Sequence, residues 1–280
     1  MQPSKIMIVL VASVAFVAGC SSSDPEPAAP DELPQSIVSL SPTATETLFA
    51  VGAGDQVVAV DSQSDYPTDA PKTDLSAYTP SLEAIIGYEP DLVIASDDID
   101  GLVAGLAQAD IPTLLLPAAT SIDDAYSQIE KIADATGHDE QGDMVVADMK
   151  KRIDDAVASV PAEPQTYFHE LDSTLYTVTS TSFVGQIYGL FGLTSIADGS
   201  PGGDYPQMSD EGILAADPDI VFLADAQCCG VTPESVAARP GWSAITAVRD
   251  GKVFAMDEDL SSRWGPRVAD QVEAVAAVLR

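Results

Sequence analysis

One stretch of this chain occurs twice. Residues 81–96 read SLEAIIGYEPDLVIAS, and residues 209–224 read SDEGILAADPDIVFLA. At a constant offset of 128, Ser81 aligns with Ser209, Glu83 with Glu211, Ile85 with Ile213, Pro90 with Pro218, Asp91 with Asp219 and Val93 with Val221. In each copy a Ser able to cap a helix precedes acidic residues that suit the positive helix N-terminus. A short apolar helical turn follows. An acid-Pro-Asp step then ends it, because Pro cannot continue the hydrogen-bond ladder. The runs LVIAS and IVFLA read as buried parallel strands. Helix start and strand repeat together, which points to two similar α/β lobes rather than to chance.

The rest of the chain fits that plan. SIVSLS (36–41) and QVVAVD (56–61) predict strands flanking a short helix in SPTATETLFAVGAG, with Ser41 or Thr43 as cap and Glu46 in its first turns. IPTLLLPA predicts a further strand of the first lobe. Residues 121–137 are amphipathic, with Ile122, Ala125, Ile129 and Ile132 on one stripe. Residues 139–159 run without Pro, and Val145, Met149, Ile153 and Val157 recur every four residues. This longest helix lies between the two repeat copies and reads as a strut between lobes. In the second half, QTYFHELD, LYTVTS and ITAVRDGKVFAMDEDL read as strands, TSFVGQIYGLFGL as a helix, and SSRWGPRVADQVEAVAAVLR as the closing helix. The predicted organisation is residues 36–138 as an N-terminal α/β lobe, 139–160 as linking helix and 161–280 as a C-terminal α/β lobe. Both lobes carry mainly parallel sheets flanked by helices.

Charge excludes one class. Twelve basic residues face 44 acidic ones, for a net charge of −32. No nucleic-acid partner suits such a field. The N-terminus speaks to location. MQPSKIMIVLVASVAFVAGC has one Lys and an apolar run too short for an ordinary spanning helix, as in a secretory signal. Val17-Ala18-Gly19-Cys20 resembles a bacterial lipobox, which implies removal of residues 1–19 and lipid on Cys20. The following Ser/Pro/acid stretch makes residues 20–35 an expected disordered tether.

Several stretches resemble the class III substrate-binding proteins of ABC importers, which carry cobalamin, iron siderophores and haem. They are IVSLSPTATETLFAVGAGDQVVAVDSQSDYP (37–67), LEAIIGYEPDLVIAS (82–96), YPQMSDEGILAADPDIVFL (205–223) and RWGPRVADQVEAV (263–275). The resemblance is nearest to the cobalamin-binding branch. It implies two lobes joined by one long helix with a ligand cleft between the lobes, and a monomer that delivers a metal chelate to a permease dimer. It also implies that Glu83 and Glu211 dock into basic pockets of that dimer. Two carboxylates in the first turns of equivalent helices suit a two-fold partner bearing arginines.

Strand-end loops supply the candidate ligand contacts: Ser41, Pro42, Thr43, Tyr66, Tyr78, His169, Tyr205, Cys228, Cys229, Arg263 and Trp264. Aromatic faces suit large flat chelates. By the resemblance, Tyr205 occupies an aromatic position of the cobalamin binder and Tyr78 lies within one residue of another. Arg263 is a natural partner for a ligand phosphate or carboxylate. HELD (169–172) reads as a pocket edge; with His138 and His169 the only histidines, a naked-metal site is under-supplied and none is expected. Cys228-Cys229 leaves three options: a vicinal disulfide, favoured as an apolar plate facing the cleft, two free thiols, or an intermolecular bridge. No G-x-S-x-G and no Walker loop occurs, so neither catalytic residue nor cofactor is expected. A surface hydrolase, or an adhesin or sensor on the same scaffold, is the alternative.

Overall fold

The computed structural model describes residues 33–161 and 163–280. The leader 1–19, Cys20 and the tether to residue 32 lie outside the described residues. The Gln35 and Ser36 N–H groups donate to Asp91 at 2.8 and 3.1 Å and fix the chain entering the first strand.

The first half runs β1 (Ile37–Leu40), α1 (Pro42–Ala50), β2 (Val57–Val60), α2 (Leu82–Ile86), β3 (Leu92–Ala95), α3 (Leu102–Ala107) and β4 (Thr113–Leu115). Two longer helices follow, α4 (Ile122–Thr136) and α5 (Asp139–Ala158). The second half runs β5 (Gln165–Glu170), α6 (Phe183–Gly189), β6 (Leu193–Ser195), α7 (Asp210–Ala216), β7 (Ile220–Leu223), α8 (Ala226–Cys229), α9 (Pro233–Ala237), α10 (Thr246–Arg249), β8 (Val253–Ala255), α11 (Glu258–Ser262) and α12 (Val268–Leu279).

The halves have one topology. Four parallel strands are ordered β2-β1-β3-β4 in the first sheet and β6-β5-β7-β8 in the second. Strands β1, β3 and β7 are buried at every residue, as sheets covered on both faces require. The repeated Pro-Asp step ends a helix and also fixes a neighbouring strand. Asp91 accepts from the chain entering β1, and Asp219 accepts from the Thr166 N–H at 2.8 Å and its hydroxyl at 3.0 Å inside β5. Ser81 and Ser209 cap their helices, accepting from Ala84 N and Gly212 N at 3.3 and 3.1 Å.

Helix α5 is the longest element and follows the periodicity: Met149 and Ile153 are buried. It joins the first sheet's half to the second and packs between α4 and α12. Arg152 ties it to Asp270 and Glu273 of α12. One apolar cluster contains Ile37 of β1, Ile153 of α5, Tyr167 of β5 and Val272 of α12, so both halves share a core along this strut. Gly137, at φ +76°, closes α4 in the left-handed region. Gly185 lets α6 lie against the Thr179–Ser180 backbone, where a Cβ would come within 1.9 Å of the Thr179 carbonyl oxygen.

Two predicted strands are corrected. Residues 175–180 form no strand: Leu175 has φ +67°, and the Thr177 and Thr179 N–H groups donate to Pro206 and Asp204 carbonyls of the Gly-rich loop. Within 245–260 only Val253–Ala255 is extended; α10 and α11 occupy the flanks.

Candidate functional site

Open parallel sheets place ligands beyond the carboxyl ends of their strands. Here the turns after β1 (Ser41, Pro42, Thr43), β2 (Asp61, Gln63) and β3 (Ser96, Asp97) converge there. Ala77, Tyr78 and Ile99 join them, and Asp259, Ser262, Arg263 and Trp264 arrive from the segment after β8. Together they line one cleft cavity of about 300 Å³, with a wall from each half of the chain. Ser41 is the N-cap of α1, accepting from Ala44 N at 3.3 Å, so the β1 turn is held rigidly.

Six predicted contacts meet in this cavity: Ser41, Pro42, Thr43, Tyr78, Arg263 and Trp264. Tyr78 is exposed at 75%, and the Trp264 indole N–H is already committed to Gln128 Oε1 at 3.2 Å. The other five do not line it. Tyr66 is exposed, with the Arg267 guanidinium 4.2 Å above its ring centroid. Tyr205 is exposed in the Gly-rich loop. Cys228 and Cys229 are joined in a vicinal disulfide within α8, the favoured option, yet neither half-cystine reaches the cavity wall. Their helix is tied instead to α11: Cys228 N–H donates to Glu258 Oε1 at 2.5 Å.

His169 is corrected outright. It is fully buried, with Nδ1 2.8 Å from the Tyr188 hydroxyl, because the inward face of β5 carries it into the core. Burial lowers its pKa to about 4, so it is neutral. Arg263 is corrected in role. It lines the cleft, but its guanidinium donates to Glu46 at 2.7 Å, to Asp65 and Asp259 at 2.8 Å each, and to the Gln63 carbonyl at 3.3 Å. Burial works against its charge, but the bonds to Glu46 and Asp65 outweigh this and raise its pKa above the ordinary arginine value. It is a clamp between halves, not a free cation awaiting a ligand.

The chain matches the family described as periplasmic binding protein over residues 37–260. It belongs to that family. An uncharacterized ABC transporter substrate-binding lipoprotein of Bacillus subtilis is 32% identical over 87% of this chain and 79% of its own length. A cobalamin-binding protein of Halobacterium salinarum is 31% identical over 88% of this chain and 69% of its own. Among solved structures, the periplasmic vitamin B12 binding protein of Vibrio cholerae superposes with a TM-score of 0.75 at 28% identity, covering 88% of this chain and 97% of that one. The family and these relatives are substrate-binding transport proteins rather than enzymes, which sets the hydrolase alternative aside.

Members of this family have two lobes, and the paired acids take equivalent places on the two halves here. Glu83 and Glu211 are each the second residue of a Ser-capped helix, and both are exposed. Two buried clusters escaped the sequence reading. Glu46, with its side chain 1% exposed, receives Arg263 and both Nε and Nη2 of Arg267 at 3.0 and 2.5 Å. The signal was the pair of arginines spaced by four around Trp-Gly-Pro. At the ends of β5 and β7, Glu170 forms a bidentate pair with Arg239 at 2.6 Å per bond, beside the buried Asp225. Among the described residues no cluster of three or more His, Cys, Asp or Glu has metal-holding geometry, and no helix is long and apolar enough to cross a membrane.

Proposed function

We propose that this protein is the lipid-anchored, extracytoplasmic capture component of an ABC importer. It takes a metal chelate of the corrinoid or ferric-siderophore type into the cleft and hands it, as a monomer, to a permease dimer. The supporting observation is the cleft itself. It lies at the strand ends of the first sheet and is walled by residues 259–264 of the second half, with Pro42, Tyr78, Ile99 and Trp264 as apolar surface among a few polar groups. The relatives named for cobalamin and vitamin B12 support the corrinoid reading. Glu83 and Glu211 are the docking acids in this reading, and Cys20 the lipid site.

Trp264 lines the cleft while Trp242, the other tryptophan, is fully buried in the second half. Titration of the purified protein with cobalamin, cobinamide, haem and ferric siderophores is therefore expected to quench part of the emission. Trp264→Phe should remove that part. Absence of quenching and of any heat of binding with every chelate would overturn the reading.

A further inference from the structure

Among the described residues, the cleft offers carboxylates and no uncommitted cation. Among its lining residues Asp61, Asp97 and Asp259 are acidic, and Arg263 is the one base. That base is spent, with Glu46, Asp65, Asp259 and the Gln63 carbonyl all accepting from it. The Trp264 N–H is spent on Gln128. Arg267 turns to Glu46 as well, and Lys72 acts on Asp65 only through space. Two guanidiniums thus meet five carboxylates around the cleft: Glu46, Asp61, Asp65, Asp97 and Asp259. The acids that remain open are lightly engaged. Asp97 is exposed, with the Ser96 hydroxyl at 3.3 Å as its hydrogen-bond partner, and Asp259 is nearly half exposed. Burial raises the Asp259 pKa, as expected where negative charge is concentrated against low-dielectric walls.

Resting on the chelate-capture reading, we infer that the cleft selects chelates that are cationic or neutral with amide N–H donors on their rim, and rejects chelates rimmed by carboxylates. An amide or ammonium rim gives the open carboxylates charge-assisted hydrogen bonds. A carboxylate rim finds only neutral hydroxyl and amide donors, no free cation among the described residues, and loses its hydration against like charge.

The test uses probe pairs of matched shape. Cobinamide and cobyric acid differ by an amide side group against a carboxylate, and ferrioxamine B and its succinylated form differ by a terminal ammonium against a carboxylate. Both pairs are titrated by tryptophan quenching at low and high salt, with haem as a carboxylate-rimmed reference. For whichever pair binds, the uncharged-rim or cationic member is expected to bind about tenfold tighter, with the gap narrowing as salt screens it. Asp97→Asn should cut that preference about fivefold, the scale of one unit charge at contact in water, and Asp97→Lys should reverse it. Thermal melting of both variants at the parental temperature confirms that the fold is intact. Equal or tighter binding of the carboxylate-rimmed members, or a ratio unmoved by Asp97→Lys, overturns this inference and leaves chelate capture standing. Absence of binding by every probe overturns both.

Discussion

Arg263 and Glu46 are 217 residues apart in the chain and 2.7 Å apart in space. The bond joins the segment after the last strand to the first helix, and Arg263 also lines the cleft. Glu46 also holds Arg267, so one buried carboxylate bridges two guanidiniums. Breaking a buried ion pair by removing one partner is costly because the other charge stays behind, typically about 3–5 kcal/mol. Glu46→Gln should lose stability on that scale in urea unfolding, and a loss under about 1 kcal/mol would show that the clamp is incidental.

Two buried groups, one in β5 and one in the turn after β7, have pKa values shifted in opposite directions. Burial, then the Glu170 charge, pushes the Asp225 pKa up from 3.8 to about 6, and both its carboxylate oxygens lack a donor among the described residues. Burial pushes His169 down from 6.5 to about 4. For Asp225 the native state binds its proton more tightly, so stability falls as pH rises from about 4 to about 6. For His169 the unfolded state binds the proton more tightly, so stability rises as pH goes from about 4 to 6.5. The slopes oppose, and the parent protein should show a shallow profile over this range. Asp225→Asn should unmask a melting temperature that climbs with pH. His169→Gln should leave one that falls. Melting curves at half-unit pH steps decide it, and parallel profiles for all three proteins would refute the opposed shifts.

The repeat was legible because its parts are local. Residues 92–95 and 220–223, offset by 128, are both fully buried strands, and each Ser caps its helix as expected. The strut was legible through its four-residue recurrence. Residues 175–180 misled because Tyr, Val and Thr alternate as in a strand, while a left-handed Leu175 and distant loop acceptors decide the geometry. β6 spans only Leu193–Ser195, too short to leave a pattern. Arg263 read as a free cation because its partners Glu46 and Asp65 lie 217 and 198 residues away, and composition carries no trace of such a meeting.

The Cys228–Cys229 disulfide closes the smallest loop a chain can close, between adjacent residues, and α8 is exposed. Loop-closure entropy scales with loop length, so reduction should shift the melting temperature little. Intact mass without reductant should show two hydrogens fewer than with it. Two thiols titrating in the unreduced, folded protein would remove the bond.

The paired acids carry the last test. Glu83 and Glu211 are second in their capped helices, exposed, and set on halves whose sheets share one strand order. Equivalent acids on two halves of like topology suit a two-fold partner with one arginine-lined pocket per subunit. Neither acid lines the cleft. Exchange of both for Lys should therefore leave chelate affinity within about twofold, since surface changes away from a site perturb little. Uptake in cells should fall to background, because two lysines would face two basic pockets and like charges at contact cost several kcal/mol. Single exchanges should give intermediate uptake, each removing one of two equivalent anchors. Reversing charge on the permease pockets should restore uptake to the double variant. Lost chelate binding in the double variant, or uptake that persists through it, would place the docking surface elsewhere on the two halves.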